Sequence, residues 1–232
     1  MEYRAEDKYI VTDAELALAE ARISPVMERD SHQEGSCYEI RSLYFDDADD
    51  SGMAENEAGD DMRRKYRIRI YGNSDAFIRL EVKEKVRGFT KKISCGISRD
   101  EFEAILEGSM PFAPGERNAL NLFMLQRRIA DLRPKILVIY ERSAFVYPAG
   151  NVRITFDRNI LASGYTDSLF DENIPGLIPV MPEGRHILEV KYDEFLPRFI
   201  ASQLETGRMQ QTAFSKYYLS RLAEEGEFPI IK

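Results

Sequence analysis

The sequence predicts an α+β protein built on a mostly antiparallel, closed eight-stranded β-barrel, with helices packed outside it. Three observations lead to this prediction. Several segments alternate charged and apolar residues with the period of a strand. Turn signals, such as Gly72-Asn73-Ser74-Asp75, join neighbouring segments as hairpins, which favours antiparallel pairing. About eight such strands close a barrel whose interior holds side chains or one slim ligand.

The alternating segments each have one charged face and one apolar face, because successive side chains of a strand point to opposite sides. A solvated face does not need basic residues on so many separate strands. If the strands close, the charges line a lumen suited to a polyanion and its metal ion. The segments are Arg4-Glu6-Lys8, Lys65-Arg67-Arg69, Arg79-Glu81-Lys83-Lys85, Lys91 or Lys92 before Ile93, Arg153-Thr155-Asp157 and Glu189-Lys191.

The first half of the chain combines predicted strands with two helices that begin at capping boxes. Thr12 with Glu15, and Ser98 with Glu101, have the spacing of capping boxes that open helices. The acidic stretch 46–61 is expected to be an exposed loop, with a mobile lid at the lumen mouth as the alternative. The predicted elements are a strand over 2–10, a helix ending near Pro25, strands over 37–45, 63–72 and 76–86, a strand after Gly88, and a helix from Ser98 to Gly108.

The second half continues with hairpins and ends in helices. Residues 116–131 have the apolar spacing of a helix, and Pro148-Ala149-Gly150 marks a turn between two strands. Residues 163–185 are rich in glycine and proline and are expected to be mostly loop. The remaining predicted elements are strands over 136–145, 152–157 and 186–192, then helices near 194–205 and 213–225.

Charge is strongly segregated along the chain, which we expect to form a single domain over residues 1–232. The formal net charge of −8 argues against a general nucleic-acid binder. Residues 46–61 contain eight acidic residues and no basic one. Residues 63–92 contain eleven basic residues against three acidic ones. The protein is therefore acidic outside that stretch and strongly basic within it.

The sequence favours a protein of the cytoplasm without a membrane span. Its amino terminus lacks the apolar run of a signal peptide, and no stretch of about eighteen apolar residues occurs. Cys37 and Cys95 do not have a metal-ligand spacing. They are expected to be free thiols in a reducing compartment, with a single disulfide as the lesser option.

Several catalytic motifs are missing from the sequence. There is no P-loop, no Gly-x-Gly fingerprint, no His-Glu-x-x-His, no Cys-x-x-Cys and no Gly-x-Ser-x-Gly. His32 and His186 lie far apart, and His186 begins a strand, where a surface or wall position is the simpler interpretation. Acyl transfer and zinc chemistry are therefore poorly supported.

The chemistry that remains is that of phosphate. Phosphoryl transfer requires positioning and neutralisation of phosphate oxygens, usually with Mg²⁺ or Mn²⁺. Arginine offers a planar fork for phosphate and lysine a compact charge. The metal needs oxygen ligands, and Glu189, Glu81 and Glu6 are available on the charged faces.

The ordered set of motifs resembles the triphosphate tunnel metalloenzymes, and within them the polyphosphate polymerase domain of the vacuolar transporter chaperone family. The resemblance covers nearly the whole chain, and the combination of motifs in order is more specific than any one of them. The segments are 3–9 (YRAEDKY), 42–46 (SLYFD), 64–71 (RKYRIRIY), 80–83 (LEVK), 140–145 (YERSAF), 152–157 (VRITFD), 187–192 (ILEVKY) and 214–217 (FSKY).

The resemblance implies a tunnel that binds ATP and a growing chain of inorganic polyphosphate, with Mn²⁺ or Mg²⁺ and release of ADP. Arg142 would need a bulge or strand end to reach the charged face, and the turn before Lys91 leaves Lys91 and Lys92 as alternatives. The implied catalytic residues are Arg67, Arg69, Arg142, Arg153 and Lys83. The implied substrate-binding residues are Lys8, Lys91, Lys92, Lys191, Ser215 and Lys216. Of the candidate metal ligands Glu189, Glu81 and Glu6, the resemblance assigns the metal to Glu189.

Two alternatives to a polymerase stay open at this point. One is a tripolyphosphatase or nucleoside triphosphatase of the same fold, and the other is a non-catalytic polyphosphate-binding module. Family members often have a further lysine two residues before the serine of the Phe-Ser-Lys motif, and here Ala213 occupies that position. No nucleic-acid partner is expected, a membrane protein is left open as a partner, and the sequence does not define the oligomeric state.

Overall fold

The computed structural model describes residues 4–31, 33, 35–60, 62–86, 89–112, 114–205, 210–212 and 214–227. The strands within this part are β1 (Ala5–Thr12), β2 (Glu28–Arg29), β3 (Tyr38–Asp46), β4 (Met62–Tyr71), β5 (Ile78–Val86), β6 (Phe89–Ile97), β7 (Arg133–Tyr147), β8 (Val152–Ser163), β9 (Ile178–Pro179), β10 (Arg185–Tyr192) and β11 (Gln210–Gln211). The α-helices are α1 (Asp13–Ile23), α2 (Ser51–Ala58), α3 (Arg99–Glu107), α4 (Asn118–Ala130), α5 (Arg198–Leu204) and α6 (Lys216–Glu224).

The chain divides into two compact units, each made of three stretches of sequence. Unit 1 comprises Met1–Glu39, Tyr140–Ile160 and Pro179–Phe214. Unit 2 comprises Ile40–Ile139, Leu161–Ile178 and Ser215–Lys232. The fifteen-residue strand β7 contributes residues to both units.

Unit 1 is organised around strands in the order β11-β1-β10-β8-β7, with β2 paired to β7. The pairs β1–β10, β1–β11 and β10–β8 are antiparallel. Apolar side chains of β8 and β10, such as Phe156 and Leu188, pack with Leu16 and Ile23 of α1 in a buried core. Burial of this kind of surface is the main favourable term in folding. The other face of the same strands is therefore left to polar side chains.

Unit 2 has the strand order β7-β3-β4-β5-β6, and the pairs β3–β4, β4–β5 and β5–β6 are antiparallel. Ile68 and Leu80 are buried together with Phe102 of α3 and Phe123 of α4. Two helices thus cover the apolar side of this sheet. As in unit 1, the alternation of the strands leaves the opposite side to charged residues.

The α+β class and the antiparallel pairing are confirmed, but the prediction of a closed eight-stranded barrel is wrong. Eleven strands pair within the described residues, and the strand order ends at β11 and at β6, with no pairing between these two strands in that part of the chain. β11 is two residues long and forms two residue pairs with β1. A strand this short cannot close a ladder of the eight-residue length of β1.

The acidic stretch 46–61 is not simply a loop, because α2 lies within it. The carboxylate of Asp47 accepts hydrogen bonds from the backbone N–H groups of Asp49 and Ser51, and that of Asp46 accepts from Gly52. Acidic groups before a helix satisfy its free N–H groups and match the positive end of its dipole. The same aspartates that suggested a solvated loop therefore start a helix.

Local signals predicted most other element ends. Thr12 and Ser98 form complete capping boxes with Glu15 and Glu101, which open α1 and α3. The predicted hairpin turns join β4 to β5 and β7 to β8.

Cys37 and Cys95 are free thiols. Among the helices that the structure describes, none combines the length and hydropathy needed to cross a bilayer.

Candidate phosphate-binding faces

The predicted site residues are distributed over both units, and each unit has one charged strand face. Unit 1 contains Glu6, Lys8, Arg142, Arg153, Glu189 and Lys191. Unit 2 contains Arg67, Arg69, Glu81, Lys83, Lys91, Lys92, Ser215 and Lys216. Residues paired in register across antiparallel strands share a face, so the registers decide which side chains are neighbours.

In unit 2, three rows of polar and charged residues cross neighbouring strands. Lys65, Lys83 and Lys92 are paired in register across β4, β5 and β6. The next row on the same face joins Tyr44, Arg67, Glu81 and Ser94. A third row contains Ser42, Arg69 and Arg79. We call these rows the unit 2 basic face.

Glu81 is the buried counter-ion of this face. Its Oε2 lies 2.6 Å from both Nε and Nη2 of Arg67, and its Oε1 lies 2.9 Å from Nζ of Lys92. Nη1 of Arg69 is 4.0 Å away. Burial alone would raise the pKa of Glu81, but the three cations outweigh it and hold the pKa well below its usual range. Three cations already neutralise Glu81, so a metal ion would have to displace them, and the metal role of Glu81 stays a prediction.

The register settles the choice between Lys91 and Lys92. Lys92 pairs with Lys83 on the basic face, whereas Lys91 pairs with Glu84, next to Arg64 on the other side of the sheet. Arg64 and Glu84 form an ion pair there, with Nη2 2.7 Å from Oε1. The predicted phosphate role of Lys91 is therefore not supported, since its side chain belongs to the opposite face.

Two residues outside the predicted set belong to the basic face. Nζ of Lys65 lies 2.6 Å from Oγ of Ser215 and 2.9 Å from Oδ1 of Asn56. The hydroxyl of Tyr44 accepts a hydrogen bond from Nη1 of Arg67 at 3.0 Å. Lys65 is two residues before Arg67, so the alternation of the strand already indicated that both side chains lie on the same face. The contribution of Tyr44 depends on the β3–β4 register, which the sequence does not reveal.

Helix α6 presents the carboxy-terminal motif of the predicted site. Ser215 caps the helix by accepting a hydrogen bond from the backbone N–H of Tyr218, and Lys216 is the first helical residue. Ser215 thus has a structural role beside its predicted phosphate contact. Ala213, which replaces a lysine of the family pattern, lies outside the described residues.

The acidic segment is bound to α6 in this structure. The hydroxyl of Tyr217 donates to Oδ2 of buried Asp46, and Nη1 of Arg221 lies 2.6 Å from Oδ1 of Asp50. Lys135 also contacts Asp50, with Nζ 2.9 Å from Oδ1. Burial and the Asp46 carboxylate raise the pKa of Tyr217 well above its usual value, so the phenol stays protonated as a donor. The proposed lid function of this segment stays a hypothesis.

In unit 1, two rows of charged residues cross β1, β10 and β8. Glu6, Lys191 and Arg153 form one row in register. Lys8, Glu189 and Thr155 form the row beside it. We call these six residues the unit 1 cluster.

Two glutamates and two lysines at the centre of this cluster neutralise one another. Nζ of Lys8 lies 2.9 Å from Oε1 of Glu6 and 3.6 Å from Oε1 of Glu189. Nζ of Lys191 lies 2.9 Å from Oε2 of Glu189 and 3.9 Å from Oε2 of Glu6. Each lysine therefore bridges both carboxylates. Phosphate oxygens that bind these lysines would compete directly with the glutamates.

Arg142 is held in a buried ion pair beside Glu189. Its Nε and Nη2 donate to the two oxygens of Asp157 at 2.6 and 2.7 Å, and Asp157 is fully buried. Burial alone would lower the pKa of Arg142, but Asp157 outweighs it and raises the pKa well above its usual value. Nη2 of Arg142 is also 3.9 Å from Oε2 of Glu189. The guanidinium charge is already compensated, which favours a positioning role over direct phosphate binding.

The expected bulge ahead of Arg142 is not needed. The guanidinium carbon lies 5.3 Å from the centre of the Tyr140 ring, so both side chains are on one side of β7. Arg153 also has a partner, since its Nη1 forms an ion pair with the buried carboxylate of Asp30.

The unit 1 cluster has the donor chemistry for a divalent cation. Mg²⁺ and Mn²⁺ prefer oxygen ligands, and Glu6 and Glu189 supply carboxylates. The hydroxyl oxygen of Thr155, in register with Glu189, is buried without a hydrogen-bond partner. Within the described residues, no group of three acidic, histidine or cysteine side chains is arranged for a metal ion. The protein alone therefore offers a partial site that phosphate oxygens would complete.

The remaining predicted features lie away from these faces. His186 is buried and its Nε2 lies 2.7 Å from Oδ1 of Asp13, in agreement with a wall position, while His32 is outside the described residues. A cavity of about 250 Å³ in unit 2 includes Asp46, Glu55 and Tyr66 in its lining. In the described part of the chain, none of the predicted site residues lines this cavity.

Comparison with known proteins gives a family match over nearly the whole chain. A family model described as "VTC domain" matches residues 3–223. None of the curated protein sequences matches this chain.

Solved structures with a similar course of the chain have low sequence identity to it. A Bacillus halodurans protein (bh2851), provisionally described as an adenylate cyclase, has 16% identity and a TM-score of 0.48, covering 88% of this chain and 87% of its own. The PH1819 protein from Pyrococcus horikoshii OT3 has 16% identity and a TM-score of 0.47, covering 96% and 99%. The PH1012 protein from the same organism has 11% identity and a TM-score of 0.46, covering 89% and 94%.

Proposed function

Because this chain belongs to the VTC domain family, we propose that it is a metal-dependent polyphosphate polymerase that transfers the γ-phosphate of ATP to a growing polyphosphate chain. The observation that carries the proposal is the unit 2 basic face, where Lys65, Lys83 and Lys92 form one row beside Arg67. Several cations on one strand face suit a ligand that carries a negative charge on every phosphate. The enclosing tunnel itself stays a prediction from the family resemblance.

Phosphate binding on the basic face would proceed by exchange of counter-ions. Arg67 and Lys92 are held by Glu81, so they are already oriented toward one point before a ligand arrives. A phosphate oxygen can take the place of the carboxylate as acceptor, and arginine favours such bidentate contacts. Lys83, in the row between Lys65 and Lys92, would bind the neighbouring phosphate.

In the reaction, an oxygen of the terminal acceptor phosphate attacks the γ-phosphorus of ATP. The bond from that phosphorus to the bridging oxygen of ADP breaks, so the chain gains one phosphate and ADP leaves. Arg67 and Arg69 would neutralise charge on the transferred group and hold it in line, which is most of what phosphoryl transfer requires of a protein. Arg142 would hold Asp157 and Glu189 in position rather than contact the reacting atoms.

The unit 1 cluster would serve the metal ion and the phosphates bound to it. A bound Mn²⁺ or Mg²⁺ would neutralise charge on phosphate oxygens. Glu189 and Glu6 would hold the ion, while Lys8 and Lys191 would move from these carboxylates to phosphate oxygens. Ser215 and Lys216 at the start of α6, and Arg153 next to Asp30, complete the proposed substrate contacts.

The first experiment measures chain synthesis by gel electrophoresis after incubation with ATP and Mn²⁺. We expect the wild type to form polyphosphate, and we expect Arg67→Met and Glu189→Gln to lose most of this activity. Arg133→Met is the matched control, because Arg133 is an exposed arginine that pairs with Asp131 away from the basic face. If the wild type forms no chains with any divalent ion, a polymerase is excluded.

The same preparation separates the alternative functions. Release of inorganic phosphate from tripolyphosphate without chain synthesis would assign the protein as a hydrolase. Binding of polyphosphate that persists in Glu189→Gln and needs no metal would assign it as a binding module. A cytoplasmic location and a membrane-protein partner stay predictions.

A further inference from the structure

Thr155 is a buried residue of the unit 1 cluster that the proposed reaction has not yet used. It is 1% exposed, and its Oγ1 has no hydrogen-bond partner. It is paired in register with Glu189 across β8 and β10, so the two side chains share a face. Arg153 and Asp157, two residues away on the same strand, both have ion-pair partners. Thr155 is therefore the unsatisfied polar group in a row of satisfied ones.

An unpartnered buried hydroxyl is unfavourable in the free protein. Removing such a group from water without a hydrogen bond has a clear cost in free energy. Valine has nearly the same shape and β-branching and would fill the position without that cost. The hydroxyl thus lowers the stability of the free protein unless a bound group provides its partner.

The neighbours of Thr155 define the kind of ligand that would satisfy it. Glu189 is buried beside it, and the lysines that neutralise Glu189 are the groups that phosphate would draw away. A divalent ion on Glu189 would retain water molecules, because Mg²⁺ and similar small ions dehydrate reluctantly. Such a water would be a strong hydrogen-bond donor, and the unpartnered hydroxyl oxygen of Thr155 could accept from it.

We propose that the Thr155 hydroxyl is a positioning group for the hydrated divalent cation at Glu189 and accepts a hydrogen bond from a water on that ion. The inference rests on the proposed function, since that function supplies the ion. The inference goes beyond the proposed function, because it assigns a role to Thr155, which would act on the ion through a water molecule bound to that ion. The Thr155 hydroxyl lacks a hydrogen bond in the free protein and gains one in the metal complex.

The test compares stability and metal binding of Thr155→Val, Thr155→Ser and wild type, using the full chain. Mn²⁺ is titrated at a fixed concentration of inorganic phosphate, and free Mn²⁺ is followed by electron paramagnetic resonance. We expect the affinity of Thr155→Val for Mn²⁺ to fall about fivefold, the size of one hydrogen bond, and Thr155→Ser to restore it. Without metal, we expect Thr155→Val to unfold at the same or a higher urea concentration than wild type.

Two controls make the result specific. Thr166→Val changes a half-buried threonine of unit 2 and should leave Mn²⁺ binding unchanged. Glu189→Gln should abolish the binding that Thr155→Val weakens. Equal Mn²⁺ affinity in wild type and Thr155→Val overturns the inference, as does the absence of Mn²⁺ binding to the wild type. A clear loss of metal-free stability in Thr155→Val also overturns it, because the hydroxyl would then have a partner in the free protein.

The outcome is independent of the test for chain synthesis. A wild type that binds Mn²⁺ more tightly than Thr155→Val but makes no polyphosphate supports the role of Thr155 and rejects the polymerase. A wild type that makes polyphosphate and binds Mn²⁺ no better than Thr155→Val rejects the role of Thr155 and keeps the polymerase.

Discussion

A single buried carboxylate can neutralise several cations of a strand face, and Glu81 is the clearest example. We expect Glu81→Gln to lower the free energy of unfolding by about 3 kcal/mol, because Arg67, Arg69 and Lys92 lose their shared counter-ion. Urea unfolding at neutral pH measures this change. Glu84→Gln, which breaks the half-buried pair with Arg64 on the other face, should cost less than about 1 kcal/mol. Equal effects of the two substitutions would contradict the central role of Glu81.

The pH dependence of stability gives a second measurement on the same residue. The folded state lowers the pKa of Glu81 below its ordinary value of 4.5, so its stabilising contribution is complete above that pH. The contribution is lost as the pH falls through the range below it, because the unfolded chain takes up the proton first. We expect wild type to lose its advantage over Glu81→Gln in acid, as followed by urea midpoints at decreasing pH. A stability difference that stays constant in acid would argue against this ion cluster.

Asp157 has the corresponding role in unit 1. We expect Asp157→Asn to destabilise the protein by about 3–5 kcal/mol, because it leaves the Arg142 charge buried with weaker compensation. The midpoint of thermal unfolding is a suitable measurement. Asp131→Asn removes an exposed partner of Arg133 and should shift that midpoint little. A stable Asp157→Asn protein would mean that Glu189 alone compensates Arg142.

The ion pairs between charged residues are the part of the site that could not be predicted from the sequence. Alternation predicted that Arg67, Arg69 and Glu81 share a face, because that follows from the period of a strand. It did not reveal that Glu81 would be enclosed by cations, nor that Lys91 faces away, because both depend on the register between strands. Neither did it reveal that Asp157 would neutralise Arg142, a contact between β8 and β7.

At the level of elements, α6 and the acidic segment stabilise each other. We expect Tyr217→Phe to cost about 1.5–3 kcal/mol, because it removes a buried hydrogen bond to the Asp46 carboxylate. Hydrogen exchange should become faster in α2 and α6, since Asp46 also contacts the start of α2. Tyr218→Phe, at the less buried neighbouring position, is the matched control. Unchanged exchange in α2 would show that the helix does not depend on α6.

The elements also show where local sequence signals are sufficient. Capping boxes and hairpin turns predicted the starts of α1 and α3 and the β4–β5 and β7–β8 connections, because those signals act within a few residues. Helix α2 was missed, since its capping carboxylates, Asp46 and Asp47, were counted as solvated charge. Barrel closure was predicted from the number of strands. It depends instead on contacts between the terminal strands, and β11, with the sequence Gln-Gln, shows no alternation.

For the whole molecule, we expect one cooperative unfolding transition although the residues form two compact units. Strand β7 is common to both units, so neither can lose it without disturbing the other. Far-ultraviolet circular dichroism and tyrosine fluorescence should therefore give coincident denaturation curves. Two resolved transitions would show that the units unfold independently.

The division of β7 between the units has a practical consequence for anyone who dissects this protein. The polypeptide passes from one unit to the other after residues 39, 139, 160, 178 and 214. A gene fragment encoding one uninterrupted stretch therefore supplies neither unit in full. To obtain one unit without the other, its three stretches of sequence would have to be expressed as separate fragments and combined, because no single truncation contains all three.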